Sequence, residues 1–195
     1  MLRHSARDAR WQGLLIEPVP YLFQRLQSAF SDANRFSLER VAVGSSTGTA
    51  SFFYVDEAAR AQIPHLPFWY DQLGSFYRQH IVKHLDGALE PYIIEEQMPV
   101  RPLSTILNQY GHGIHLLHID TEGHDYEVLR TLDFRRHRPH AVLIEHKHLS
   151  VADKDATREL LEQHNYRVRD CGADYFAVTA SLGSLLPRWL SRHRP

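Results

Sequence analysis

Residues 115–125 read HLLHIDTEGHD, and their pattern gives the clearest indication of the fold. An apolar run that is too short for a helix ends at Asp120, and a polar turn that contains Gly123 then leads into a helical pattern. The stretch therefore predicts a buried strand, a turn and a helix. In open α/β sheets, ligands bind beyond the carboxyl ends of parallel strands. Asp120 and Glu122 are therefore candidate site residues.

A second apolar run ends in the same way further along the chain. Residues 141–144 read AVLI and are followed directly by Glu145 and His146. Because parallel strands end at the same edge of a sheet, we expect both strands to offer acidic side chains to one crevice. Asp120, Glu122, Glu145 and His146 are thus the candidate catalytic residues.

The remaining pattern alternates strands with helices. Residues 14–16 form a short apolar strand that ends at Glu17, and a helical face follows. Residues 36–43 predict another strand, and the glycine-bounded segment 44–48 predicts a hairpin turn into residues 49–54. Two short strands at 166–169 and 175–178 predict a closing antiparallel hairpin. The order favours a three-layer α/β sandwich with a mostly parallel sheet.

The connection from Asp56 to Met98 is long, irregular and aromatic, with Phe68, Trp69 and Tyr70 near its centre. Long loops in compact domains are often lids over binding sites. A packed, irregular pair of helices explains the same pattern equally well, and the sequence does not separate the two.

Composition excludes several classes of function. The formal net charge of -1 argues against a nucleic-acid partner, because phosphate binding needs clustered basic residues. Cys171 is the single cysteine, which excludes an intrachain disulfide and fits a reducing cytoplasm. The N-terminus lacks the apolar segment of a signal peptide, so a soluble cytoplasmic protein is expected and a membrane partner is not.

We expect one domain over residues 1–180, followed by a basic amphipathic tail over residues 181–195 that packs on that domain.

The chain also contains 14 histidines. They match neither the HExxH pattern nor a Cys/His zinc ribbon. We therefore expect most of them to lie at the surface or to be hydrogen-bonded in the core.

Four motifs carry a resemblance to a known family. They are GLLIEP at 13–18, VAVG at 41–44, HIDTEG at 118–123 and LIEH at 143–146. In this order and spacing, which covers roughly residues 13–178, the chain resembles the FkbM-type methyltransferases that use S-adenosylmethionine. The resemblance implies the class I, Rossmann-like methyltransferase fold. It also implies methylation of a hydroxyl on a sugar or secondary metabolite, and hence a small-molecule or glycan acceptor.

The resemblance also assigns cofactor-binding residues. Glu17 would accept hydrogen bonds from the ribose hydroxyls of the cofactor, Ala42 and Val43 would line its adenine, and Asp120 would contact the cofactor as well. Glu17 alone would otherwise be interpreted as a helix-capping or surface residue. Ala42 and Val43 would otherwise be plain strand core.

One part of the family pattern is not found. Members normally begin with a strand and a glycine-rich loop that holds the methionine part of the cofactor, and the residues before Gly13 do not supply it. We therefore expect an N-terminally truncated domain that binds S-adenosylmethionine weakly or not at all. The sheet edge left exposed would favour pairing with a second copy or a partner. A catalytically silent interaction domain is thus the alternative function.

The acidic crevice offers two ways to activate a hydroxyl. Asp120 and Glu145 with His146 stand where catechol-type methyltransferases, which share the fold, place Mg²⁺ ligands, and a bound metal would lower the pKa of the acceptor. His146 acting as a general base without a metal fits equally well. Glu122 either contacts cofactor or substrate or caps the following helix. A metal-dependent hydrolase that uses Asp120, Glu145 and His146 is a third interpretation.

Overall fold

The protein has a mixed α/β fold. The structure is a computed structural model and describes residues 11–31 and 35–183. The strands are β1 Gly13–Ile16, β2 Phe36–Glu39, β3 Ala42–Val43, β4 Gly48–Val55, β5 Ile93–Arg101, β6 Leu116–Ile119, β7 Ala141–Glu145, β8 Tyr166–Asp170 and β9 Asp174–Thr179. The helices are α1 Pro20–Ala29, α2 Ala59–Gln62, α3 Arg78–Val82, α4 Leu103–Tyr110, α5 Asp125–Leu129, α6 Val151–Gln163 and α7 Ala180–Gly183.

The chain divides into two compact units, one before and one after the boundary between Tyr110 and Gly111. Each unit has its own buried side chains. The predicted division into residues 1–180 and 181–195 stays a prediction. Residues 184–195 of the expected amphipathic tail lie outside the described part of the chain.

The first unit contains two small sheets. β1 pairs with β2 in parallel, and a second sheet has the order β3-β5-β4. β3 is parallel to β5, whereas β4 is antiparallel to β5. The predicted hairpin across residues 44–48 is therefore wrong, because β5 pairs with both strands and lies between them. The predicted strand 36–43 is also interrupted, since β2 ends at Glu39 and β3 begins at Ala42.

The second unit contains one four-stranded sheet with the order β6-β7-β9-β8. β6 and β7 are parallel neighbours, as predicted, and β9 pairs antiparallel with both β7 and β8. The closing hairpin is thus confirmed. The prediction of a mostly parallel sheet is wrong, because β4 and β9 each run against their neighbours and make the sheets mixed.

The long connection between β4 and β5 is packed over much of its length. Its buried apolar side chains form one cluster with Val55 from β4, and they are Ala59, Leu66, Tyr70, Leu73, Ile81 and Leu89. Trp69 is partly buried against this cluster, whereas the neighbouring Phe68 is 81% exposed. The apolar residues of the connection therefore pack mainly against one another.

Within the described ranges, none of the helices has the length and apolar character needed to span a bilayer.

Candidate functional site

A buried carboxylate organises the turn that follows β6. Asp125, the first residue of α5, is fully buried and accepts hydrogen bonds from the backbone N–H groups of Thr121 at 2.8 Å and Gly123 at 3.0 Å. Burial raises the pKa of Asp125, and these hydrogen bonds oppose the shift. Asp125 therefore fixes the conformation of the turn at residues 121–124, and with it the position of Glu122.

The same turn uses two left-handed backbone conformations. Glu122 has φ of 54° and Gly123 has φ of 95°. A Cβ atom on Gly123 would lie 3.4 Å from the carbonyl oxygen of His148, so the backbone of this turn approaches the segment after β7 closely. A glycine is favoured at position 123 for both reasons, its positive φ and the close approach.

Glu145 ends β7 and is almost completely buried, with 4% of its surface exposed. Its Oε1 atom lies 2.5 Å from Nζ of Lys147, and its Oε2 atom lies 3.9 Å from Nε2 of His148. Burial raises the pKa of Glu145 to about 7, and the negative charges of Asp120 and Glu122 act in the same direction. The ion pair with Lys147 opposes this shift.

Glu122 and His148 connect the two strand ends directly. Nε2 of His148 lies 3.2 Å from Oε2 of Glu122. Glu122, Glu145 and His148 each offer one metal-ligand atom, and these atoms all lie within 4.8 Å of one another. We call Asp120, Glu122, Glu145, Lys147 and His148 the acidic cluster.

Asp120 is the most accessible carboxylate of the acidic cluster. The residue is exposed and directly follows β6 at the carboxyl end of that strand. The protein around its carboxyl group removes water, and Glu122 adds a negative charge, so both raise the pKa of Asp120. His118 and Lys147 act in the opposite direction.

The structure brings Asp120, Glu122 and Glu145 together, but it places His146 elsewhere. The His146 ring stacks on Tyr175 with 4.0 Å between ring centroids, and its Nε2 lies 3.4 Å from Oδ1 of Asp170. Successive residues of an extended chain point in opposite directions, so His146 turns away from the side on which Glu145 lies. His148 joins Glu145 instead. Sequence reasoning missed it, although its spacing three residues after Glu145 was visible.

The candidate cofactor residues of the first unit have local structural roles. Glu17 follows β1, and its Oε1 atom accepts a hydrogen bond from the Val19 N–H group at 2.8 Å, just before α1. Burial raises the pKa of Glu17 to about 7. Ala42 is buried in a core cluster that includes Val100, while Val43 is partly exposed. Their assignments to ribose and adenine stay predictions.

Comparison with known proteins identifies the family. The model of the methyltransferase FkbM domain matches residues 2–168. The crystal structure of methyltransferase FkbM from Methylobacillus flagellatus KT is similar, with 18% sequence identity and a TM-score of 0.49. The alignment covers 86% of this chain and 36% of that one, so the chain spans little more than a third of its length. Among curated proteins, none matches the chain. The family match covers most of the sequence, and the chain therefore belongs to the FkbM methyltransferase family.

Proposed function

We propose that the protein is a cytoplasmic methyltransferase that moves a methyl group from S-adenosylmethionine to a hydroxyl of a sugar or secondary metabolite. The observation that carries the proposal is the match of the FkbM methyltransferase domain to residues 2–168. The mixed α/β architecture, in which Asp120 follows β6 and Glu145 ends the parallel neighbour β7, fits a class I, Rossmann-like arrangement. The family match does not favour the interaction domain or the hydrolase.

The chemistry requires a proton acceptor near the hydroxyl. In an in-line displacement the carbon–sulfur bond breaks as the carbon–oxygen bond forms, and the hydroxyl proton must pass to a base. We assign that role to Asp120, because it is exposed at the carboxyl end of β6, where an acceptor can reach it. His146 suits the role less well, since it is buried against Tyr175.

Glu122 and Glu145 support Asp120 in this proposal. Both are carboxylates whose negative charge disfavours ionisation of their neighbours, and a carboxylate in such surroundings holds a proton more strongly than it does in water. They raise the pKa of the base without contacting the reacting atoms themselves.

Glu17, Ala42 and Val43 are proposed to contact the cofactor. Glu17 uses Oε1 to accept the Val19 N–H group, and a carboxylate has further acceptor sites for the ribose hydroxyls. Val43 is partly exposed at the end of β3 and is the more accessible of the two residues assigned to adenine.

Cofactor binding tests the proposal without knowledge of the acceptor. Saturation-transfer NMR on the chain with S-adenosylmethionine should show transfer to the adenine and ribose protons, and S-adenosylhomocysteine should remove the signal by competition. The Glu17→Gln variant should weaken binding by about 10-fold or more, as expected for a lost charged hydrogen bond. Glu90→Gln, an exposed carboxylate paired with Arg78, is the matched control and should leave binding unchanged. Absence of any saturable signal would contradict the proposal.

A further inference from the structure

Three side chains at the ends of β6 and β7 place potential metal-ligand atoms close together. Glu122 and Glu145 each offer a carboxylate oxygen and His148 offers a ring nitrogen, all within 4.8 Å of one another. Glu122 comes from the turn after β6, whereas Glu145 and His148 come from the end of β7 and the segment after it. The three residues therefore link two separate stretches of the chain.

One carboxylate oxygen of Glu145 is buried without a hydrogen bond in the described part of the chain. The residue is 4% exposed, and among the described residues its Oε2 atom has no hydrogen-bond partner. Nε2 of His148, at 3.9 Å, is too far away to donate a hydrogen bond. A buried carboxylate oxygen without a donor costs free energy, and a cation at this point would remove that cost.

The local charge leads to the same conclusion. The carboxylates of Asp120, Glu122 and Glu145 interact electrostatically with one another. Lys147 pairs with the other oxygen of Glu145, Oε1, at 2.5 Å, and thereby leaves Oε2 directed toward His148. One lysine balances only part of the negative charge of three carboxylates.

We propose that Glu122, Glu145 and His148 bind a divalent first-row transition-metal ion, with Zn²⁺ as the preferred occupant. One imidazole nitrogen with two carboxylate oxygens is a ligand set that suits Zn²⁺, whereas Mg²⁺ and Ca²⁺ favour oxygen ligands throughout. In a tetrahedral site with metal–ligand bonds of about 2.1 Å, ligand atoms lie about 3.4 Å apart.

Two of the three separations between ligand atoms are close to this geometry, and the third is within 4.8 Å. His148 Nε2 lies 3.2 Å from Glu122 Oε2 and 3.9 Å from Glu145 Oε2. Small side-chain rotations would therefore complete three corners of a tetrahedron, and water would take the fourth. The ion would tie the turn after β6 to the segment after β7. This inference does not depend on methyl transfer and is tested without it.

The test uses the whole chain, freed of metal with a chelator. Calorimetric titration with ZnCl₂ should show one tight equivalent, and CoCl₂ should give the intense visible absorption of a tetrahedral Co²⁺ site. His148→Asn and Glu145→Gln should weaken this site by more than the roughly 10–100-fold that loss of an outer-shell partner costs. His146→Asn is the matched control, because His146 is a buried histidine two residues away from His148 and outside the ligand set.

Circular dichroism establishes that each variant is folded, and the partly exposed His148 provides the decisive variant if Glu145→Gln unfolds the chain. Millimolar Mg²⁺ should leave the Zn²⁺ titration unchanged. The proposal is overturned if the natural chain has no stoichiometric site, if His148→Asn binds as tightly as the natural chain, or if His146→Asn abolishes binding. Displacement of Zn²⁺ by millimolar Mg²⁺ would overturn the assigned class of metal.

Discussion

Nε2 of His148 lies 3.2 Å from Oε2 of Glu122, and this contact joins the turn after β6 to the segment after β7. The contact depends on Gly123, whose backbone runs beside the carbonyl of His148. The two strand ends thus form one local structure, although Glu122 and His148 are 26 positions apart along the chain.

Gly123→Ala should disturb this contact. The substitution places a Cβ atom at φ of 95° and 3.4 Å from the His148 carbonyl oxygen. We expect the free energy of unfolding to fall by about 1–2 kcal/mol, the usual cost of a left-handed conformation for a residue with a side chain. Urea unfolding measures this change. Gly113→Ala is the control, because its Cβ would meet nothing within 4 Å, and equal stability of the two variants would contradict the account.

Asp125→Ala should destabilise the second unit. The change leaves the N–H groups of Thr121 and Gly123 without their buried acceptor, so we expect a loss of about 2–4 kcal/mol. Asp133 accepts two backbone N–H groups in a similar way, from Arg135 and Arg136, but it is exposed. Asp133→Ala should therefore cost less than about 1 kcal/mol, since water can replace the lost acceptor. A smaller loss for Asp125→Ala than for Asp133→Ala would refute the role given to Asp125.

Trp69 and Phe68 distinguish a lid from a packed connection. Trp69 packs against the cluster of the connection and makes an edge-on contact with His84 at 5.8 Å, whereas Phe68 is 81% exposed. Trp69→Ala should lower the free energy of unfolding by about 2 kcal/mol, and Phe68→Ala by less than about 0.5 kcal/mol. Chemical denaturation followed by circular dichroism gives both values. If the two variants are equally stable, the packed interpretation is wrong.

Glu17 should make stability depend on pH. Its pKa rises from 4.5 to about 7 on folding, so the native state holds a proton that the unfolded state has lost between these values. The stability of the natural chain should therefore fall relative to Glu17→Gln as pH rises from about 4.5 to 7, by at most about 3 kcal/mol, and then level off. Comparing the two proteins in the same buffers cancels the similar contribution of Glu145. A difference that stays constant with pH would show that Glu17 is not desolvated.

Much of the local structure is predictable from the sequence because the signals are local. The apolar run before Asp120 and the matching run before Glu145 indicate β6 and β7 correctly, including their parallel pairing. Ser150 with Asp153 indicates the start of α6, where the Ser150 Oγ atom accepts the Asp153 N–H group at 3.1 Å.

The mistakes concern pairing between distant parts of the chain. β5 begins within the long connection, whose aromatic and polar residues show no regular alternation of apolar and polar positions. The sequence therefore did not predict that β5 lies between β3 and β4. In the site, the sequence indicates two acidic strand ends but not which histidine joins them. The direction of each side chain just beyond β7 decides that His148, and not His146, lies beside Glu145.

A methyl-transfer assay that compares the natural chain with Asp120→Asn tests the proposed activity and its base together. The chain is incubated with a small-molecule extract of cells that produce the protein and with S-adenosylmethionine carrying a tritiated methyl group. The cofactor is in large excess, because weak binding is expected. We expect label to enter a hydroxylated acceptor, and Asp120→Asn to reduce the rate by about 100-fold or more while the melting temperature stays unchanged. Asp133→Asn, an exposed carboxylate outside the site, should transfer methyl groups at the natural rate. No labelled acceptor with the natural chain, or full transfer by Asp120→Asn, would contradict the account.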